Sequence, residues 1–148
     1  MFNVGELFES GSIPALEMAF RFAGQRQRFI ASNIANLTTP DYRPVDASPE
    51  GFQRVMREAI AESRSRRAGG VGGLAWRETE ELRRAAGSGE LRVVPRSPSG
   101  NILFHDRNNR DVERLMQSQA ENVAMYRVAS ELLRGRFESL RAAIAERA

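Results

Sequence analysis

The sequence contains no cysteine, so neither a disulfide nor thiol chemistry is open to it. It contains no lysine either; all 22 basic residues are arginine. They face 19 acidic residues, which leaves a formal net charge of only +3 and argues against a nucleic-acid or acidic-lipid surface. The signs alternate along much of the chain, the pattern of solvated helix faces. The one local cluster, Arg64, Arg66 and Arg67, lies in an Arg/Gly/Ser-rich stretch that reads as a linker. Apolar runs of roughly 18 residues or more, the length a membrane span needs, are absent. The opening Met1-Phe2-Asn3-Val4-Gly5-Glu6 lacks a basic region followed by an apolar one, so no cleaved secretory signal is expected.

Catalytic patterns are missing as well. His105 is the sole histidine, and Asp106 beside it makes no metal site without further ligands at workable spacing. No serine lies in an elbow motif. The pairs Gly69-Gly70 and Gly72-Gly73 lack the lysine of a phosphate-binding loop. Glu80-Glu81 sits in a charged segment and reads as a solvated face. The chain is therefore read as a non-enzyme, with no catalytic residue, no cofactor and no metal site.

What the sequence does carry is helical periodicity. Ser12 is a plausible cap, with Pro14 in the first turn. From Leu16 through Phe20, Ala23, Gln27, Ile30 and Ile34 to Leu37, seam positions alternate four and three apart, and only Gln27 interrupts the apolar series. Met18, Phe22 and Phe29 form a second stripe, so this helix has more apolar surface than one partner helix would cover. Thr38-Thr39-Pro40-Asp41 stops it, because the residue before a proline is driven out of the helical region. A second helix is predicted after a cap at Asp111. Its seam runs through Val112, Leu115, Gln119, Asn122, Tyr126, Ala129, Leu133, Arg136, Leu140 and Ala143, widened by Met116, Val123, Leu132, Phe137 and Ile144. Between them, Phe52, Val55, Met56, Ala59 and Ile60 have the spacing of a short helix. Leu74-Ala75-Trp76-Arg77 and Leu91-Arg92-Val93-Val94 are short enough for strands or extended arms. Gly87-Ser88-Gly89 and Ser97-Pro98-Ser99-Gly100 are turn clusters. Trp76, the one tryptophan, is a candidate anchor for a small hydrophobic cluster or for a contact with another subunit.

The stretch 31–43, ASNIANLTTPDYR, resembles the N-terminal signature of bacterial flagellar rod and hook proteins, A-x-N-I-A-N-x-x-T-P-G-Y-K. Ala31, Asn33, Ile34, Ala35, Asn36, Thr39, Pro40 and Tyr42 carry the match. Asp41 stands in place of the glycine, and Arg43 in place of the lysine. The stretch 106–144 is similar to the C-terminal pattern of the proximal rod branch of that family: D-G-N-N-V-D-x-E-x-E-M, then A-x-N-x-x-x-Y, then K/R-F-x-x-L-R-x-A-I. Asp106, Asn108, Asn109, Asp111, Glu113, Met116, Ala120, Asn122, Tyr126, Phe137, Leu140, Arg141, Ala143 and Ile144 fit, while Arg107 and Arg110 depart.

The resemblance implies a structural subunit of the flagellar basal-body rod, polymerising through its terminal helices to transmit torque. It implies a periplasmic address reached through the flagellar export apparatus without signal cleavage. It also implies, as partners, other rod subunits, the MS ring and FliE-like adaptors, with no nucleic acid and no direct membrane span. The expected fold is mainly α, with long N- and C-terminal helices paired as a coiled coil and an irregular, partly disordered middle segment. The expected division is 1–43 for the N-terminal helix and signature, 44–110 for the variable middle with a flexible linker at 63–73, and 111–148 for the C-terminal helix. Ile34, Leu37, Leu133, Phe137 and Leu140 are candidates for the helix pair within a subunit. Asn33, Asn36, Asn122 and Tyr126 are candidates for polar contacts that fix register, and Pro40 and Tyr42 shape the turn. A soluble coiled-coil adaptor is the alternative; it would share the heptads but not require the Thr-Pro-x-Tyr stop.

Overall fold

The computed structural model describes residues 12–65, 74–97 and 112–145. Among them the element order is helix α1 (Ser12–Ala35), helix α2 (Pro49–Ser65), strands β1 (Leu82–Arg84) and β2 (Leu91–Val93), and helix α3 (Val112–Ala145). The fold is mainly helical, as the periodicity predicts. Asp111, most of the cluster at 97–100 and linker residues 66–73 lie outside the described residues.

Helix α1 is the spine. Pro14 sits in its first turn, where a missing amide hydrogen removes no helix bond. One side of α1 meets α3. Phe20 stacks on Tyr126 with ring centroids 4.7 Å apart. The Asn122 amide donates to the Ala23 carbonyl at 3.0 Å, and the Gln27 amide donates to Gln119 at 2.9 Å. As the α1 number rises the α3 number falls, so the two helices pack antiparallel. The other side of α1 carries Met18 and Phe22, both buried.

That second side corrects part of an expectation. Among the described residues the middle segment is not irregular: a helix and a hairpin supply the surface that covers α1. Phe22 and Phe52 are each fully buried and stack at 4.1 Å with planes 11° apart. Val55, Met56, Ile60, Leu82, Leu91 and Val93 join them in one cluster, against which Trp76 packs, half-buried. Trp76 thus serves the hydrophobic cluster, and Arg84 lies over its ring at 4.6 Å.

Local chemistry sets these elements in place. The Ser48 hydroxyl accepts from the Gly51 amide at 2.9 Å and caps α2, with Pro49 as its first residue. Buried Phe52, Val55, Met56, Ala59 and Ile60 give α2 the apolar stripe expected from their spacing. The helix runs on through 63–65, so the predicted linker begins later than its composition implies. β1 and β2 pair antiparallel with Leu82 opposite Val93 and Arg84 opposite Leu91. Gly87 (φ +88°) and Gly89 (φ +69°) close the hairpin in a backbone region that other residues reach only at a cost. The free edge of β2 is sealed by one side chain. Gln25 donates to the Leu91 carbonyl and accepts from the Val93 amide, both at 2.8 Å, as a neighbouring strand would.

Candidate interaction site

The signature stretch folds back on itself around Asn33. This side chain is buried on α1, 4% exposed. Its amide donates to the Val45 carbonyl at 2.7 Å, and its oxygen accepts from the Val45 amide at 3.1 Å and the Tyr42 hydroxyl at 3.0 Å. The asparagine amide offers a donor and an acceptor on separate atoms, so it can substitute for a strand partner to Val45. The Tyr42 hydroxyl also lies 3.0 Å from Ser32 Oγ. Asn36 serves the end of the helix: its amide donates to the Ser32 carbonyl at 2.8 Å and its oxygen accepts from Thr39 Oγ1 at 3.2 Å. Successive tight turns then carry the chain round, Thr39 to the Asn36 carbonyl at 3.0 Å and Tyr42 to the Thr39 carbonyl at 3.4 Å. Pro40, exposed, occupies the tip.

Asp41 has φ +58°, a left-handed conformation that a glycine can adopt without strain. Aspartate tolerates this region better than most residues. Asp41→Val is expected to lower stability by about 1–2 kcal/mol, and Asp41→Gly to hold or raise it by up to about 1 kcal/mol. Urea denaturation followed by circular dichroism reads both. Equal losses in the two variants would show that the aspartate side chain, not the backbone, matters at this turn.

Beyond the turn, the chain is tied to α1 by an ion pair. Arg26, 4% exposed, reaches both oxygens of Asp46: Nε to Oδ1 at 2.9 Å and Nη2 to Oδ2 at 2.8 Å. Asp46 is held in turn by backbone bonds with Arg96 in both directions, at 2.9 and 2.8 Å. The sequence reading misses this pair, because nothing in the spacing links an arginine inside a helix to an aspartate 20 residues on, past a turn.

The helix interface carries a second polar group. Asn122 is 1% exposed and donates to Gln27 at 2.9 Å as well as to the Ala23 carbonyl. Its own oxygen has no hydrogen-bond partner among the described residues. Gln27, the polar interruption in the α1 seam, therefore meets Asn122 and Gln119, two polar positions of the α3 seam. That coincidence is the signal a sequence reading could have used. Ile34 and Leu37 are half-buried at the end of the spine nearest the start of α3, and Leu133 packs near the opposite end. These candidates therefore do not form one cluster. Tyr126 is 40% and Phe137 47% exposed, and the side chain of Leu140 lies outside the described residues. Among the described residues the exposed large hydrophobics, Val112, Met116, Tyr126, Val128, Phe137 and Ile144, all lie on α3.

Among the described residues no cluster of His, Asp or Glu could hold a metal ion, and no helix is long and apolar enough to cross a membrane. Among the described residues the fold is an antiparallel helix pair braced by α2 and a hairpin, with large apolar side chains exposed on α3. No family model matches the chain. It is 26% identical over 132 residues, 89% of its length and 92% of the relative's, to the flagellar basal body rod protein FlgB of Bacillus subtilis (strain 168). That similarity supports a flagellar rod protein family for the chain, FlgB-like within it, and a structural rather than an enzymatic protein.

Proposed function

We propose that the chain is a structural subunit of the proximal rod of the flagellar basal body, polymerising through its terminal helices to transmit torque and required for flagellum assembly and motility. The observation that carries this reading is the uncovered apolar side of α3 in a chain similar along most of its length to a rod protein. A single subunit gains nothing by exposing Val112 and Met116. A head-to-tail neighbour covers them, and repetition of such a heterologous contact builds a filament rather than a closed ring. The antiparallel pair supercoils along its three-four seam, and the Gln27–Asn122–Gln119 group fixes its register, as a buried polar residue does in coiled coils. The turn at 36–43 marks where the chain leaves that pair for the middle segment, which faces outward. The subunit reaches the periplasm through the flagellar export apparatus without a cleaved signal. There it meets other rod subunits, the MS ring and a FliE-like adaptor.

The test is a pair of charges on the uncovered stripe. Val112→Glu and Met116→Glu alter side chains that are each 47% exposed. Both are expected to change stability by no more than about 0.5 kcal/mol, as surface substitutions do. Both are expected to abolish swarming and rod formation in complemented cells. Normal motility with either variant would remove this face from the assembly contact.

A further inference from the structure

The hairpin has a second edge, on the side of β1 away from β2. The Val94 amide bonds to the Glu81 carbonyl and the Ala85 amide to the Glu90 carbonyl, which leaves the backbone groups of Leu82 and Arg84 facing that edge. Among the described residues no strand pairs there, yet both amides are taken. The Leu82 amide donates to Thr79 Oγ1 at 3.0 Å, and the Leu82 carbonyl accepts from the Thr79 amide at 2.8 Å. The Arg84 amide donates to Glu78 Oε1 at 2.7 Å. The Arg84 guanidinium holds this capping stretch, donating to the Trp76 carbonyl at 2.7 Å and lying over the Trp76 ring. Charge adds to the caps. Arg83 lies opposite Arg92 on the face away from the core, and both are exposed. Like charges directly opposite one another weaken a strand pair. The two acids next to them on that face are engaged elsewhere: Glu81 accepts from the Ser48 amide at 2.9 Å, and Glu90 pairs with Arg21 at 2.8 Å.

We infer that the outer edge of β1 is a docking edge for β1 of a second copy, held shut by Glu78, Thr79 and Arg83. An uncovered edge is a template for another strand. Gln25 already closes the β2 edge, so β1 is left to meet β1. Antiparallel pairing centred on Arg83 needs the Leu82 and Arg84 groups that the caps occupy. It also sets four guanidiniums in one row, those of Arg83 and Arg92 from each copy. Such a contact is the same on both subunits and closes as a dimer. The guard does not rest on the rod reading, but that reading gives it a purpose, because a subunit closed into a dimer is lost to a head-to-tail filament.

Thiol crosslinking of the full chain tests the guard, because the sequence has no cysteine. Arg83→Cys supplies the reporter. In the paired edge two such positions face each other with Cα atoms about 4.5 Å apart, within the roughly 4.4–6.8 Å that a disulfide spans. Adding Glu78→Ala/Thr79→Val is expected to speed disulfide dimer formation about tenfold or more at equal protein concentration. Adding Glu78→Gln/Thr79→Ser instead keeps both acceptors and is expected to leave the rate unchanged. Ala86→Cys, exposed on the hairpin turn, separates edge pairing from unfolding or association elsewhere. Its rate is expected to be the same with and without the caps. Three results would overturn the inference: no acceleration of Arg83→Cys when the caps are removed, fast dimers with Glu78→Gln/Thr79→Ser, or equal acceleration of Ala86→Cys.

Discussion

Asp46→Ala is expected to lower the stability of the folded chain by about 3–5 kcal/mol. The size follows from what the substitution leaves behind. Arg26 is 4% exposed, and its guanidinium is neutralised by both oxygens of Asp46. Truncating the carboxylate strands a positive charge where water reaches it poorly. Asp46 Oδ1 also accepts from the Ala47 amide at 2.8 Å, so that donor loses a partner too. The pair ties the chain after the turn to the middle of α1, and its loss loosens the turn as a unit. Arg26→Met/Asp46→Ala removes both charges and is expected to recover at least half of the loss, because a buried pair is replaceable by apolar packing. Urea denaturation of the two variants beside the parent measures both numbers. A loss near the roughly 1 kcal/mol of an exposed pair would mean that water solvates Arg26 in the variant.

Phe52→Ala is expected to lower stability by a similar amount, about 3–5 kcal/mol, through the cavity left opposite Phe22. Both rings are fully buried, and their stacking is where α2 meets the spine. The expectation separates two views of the middle segment. If it is an appendage, the substitution melts 44–97 locally and leaves the α1–α3 pair with its parent midpoint. If it is core, as the packing here indicates, one cooperative transition shifts as a whole. Thermal unfolding read by helical circular dichroism and by Trp76 fluorescence decides this. Coincident, lowered midpoints are expected, and a lowered Trp76 midpoint beside an unmoved helical one would contradict the account.

Much of the helical frame was legible because periodicity reports burial directly. Leu16, Phe22 and Ile30 mark α1, and Phe52, Val55, Met56 and Ile60 mark α2; all seven are buried. The glycines of Gly87-Ser88-Gly89 announced the hairpin turn. Strand β1 was missed because Leu82-Arg83-Arg84 shows too few alternations to separate from a charged loop; only Leu82 points inward. What covers the second stripe of α1 was not legible for a different reason. An apolar stripe records that something covers it, not whether that cover comes from the same chain. Met18 and Phe22 are covered internally, by α2 and the hairpin. The contacts of the site depend on such long-range pairing. Asn33 stood out within the signature, but its partners Tyr42 and Val45 follow only once Asp41 turns the chain back.

The central claim, a rod subunit that assembles through its helices, is tested most directly by deleting the encoding gene in the source organism and imaging isolated basal bodies. The account predicts membrane rings without a rod, restored by the parent sequence and not by Met116→Glu. Complete rods in the deletion strain would contradict it.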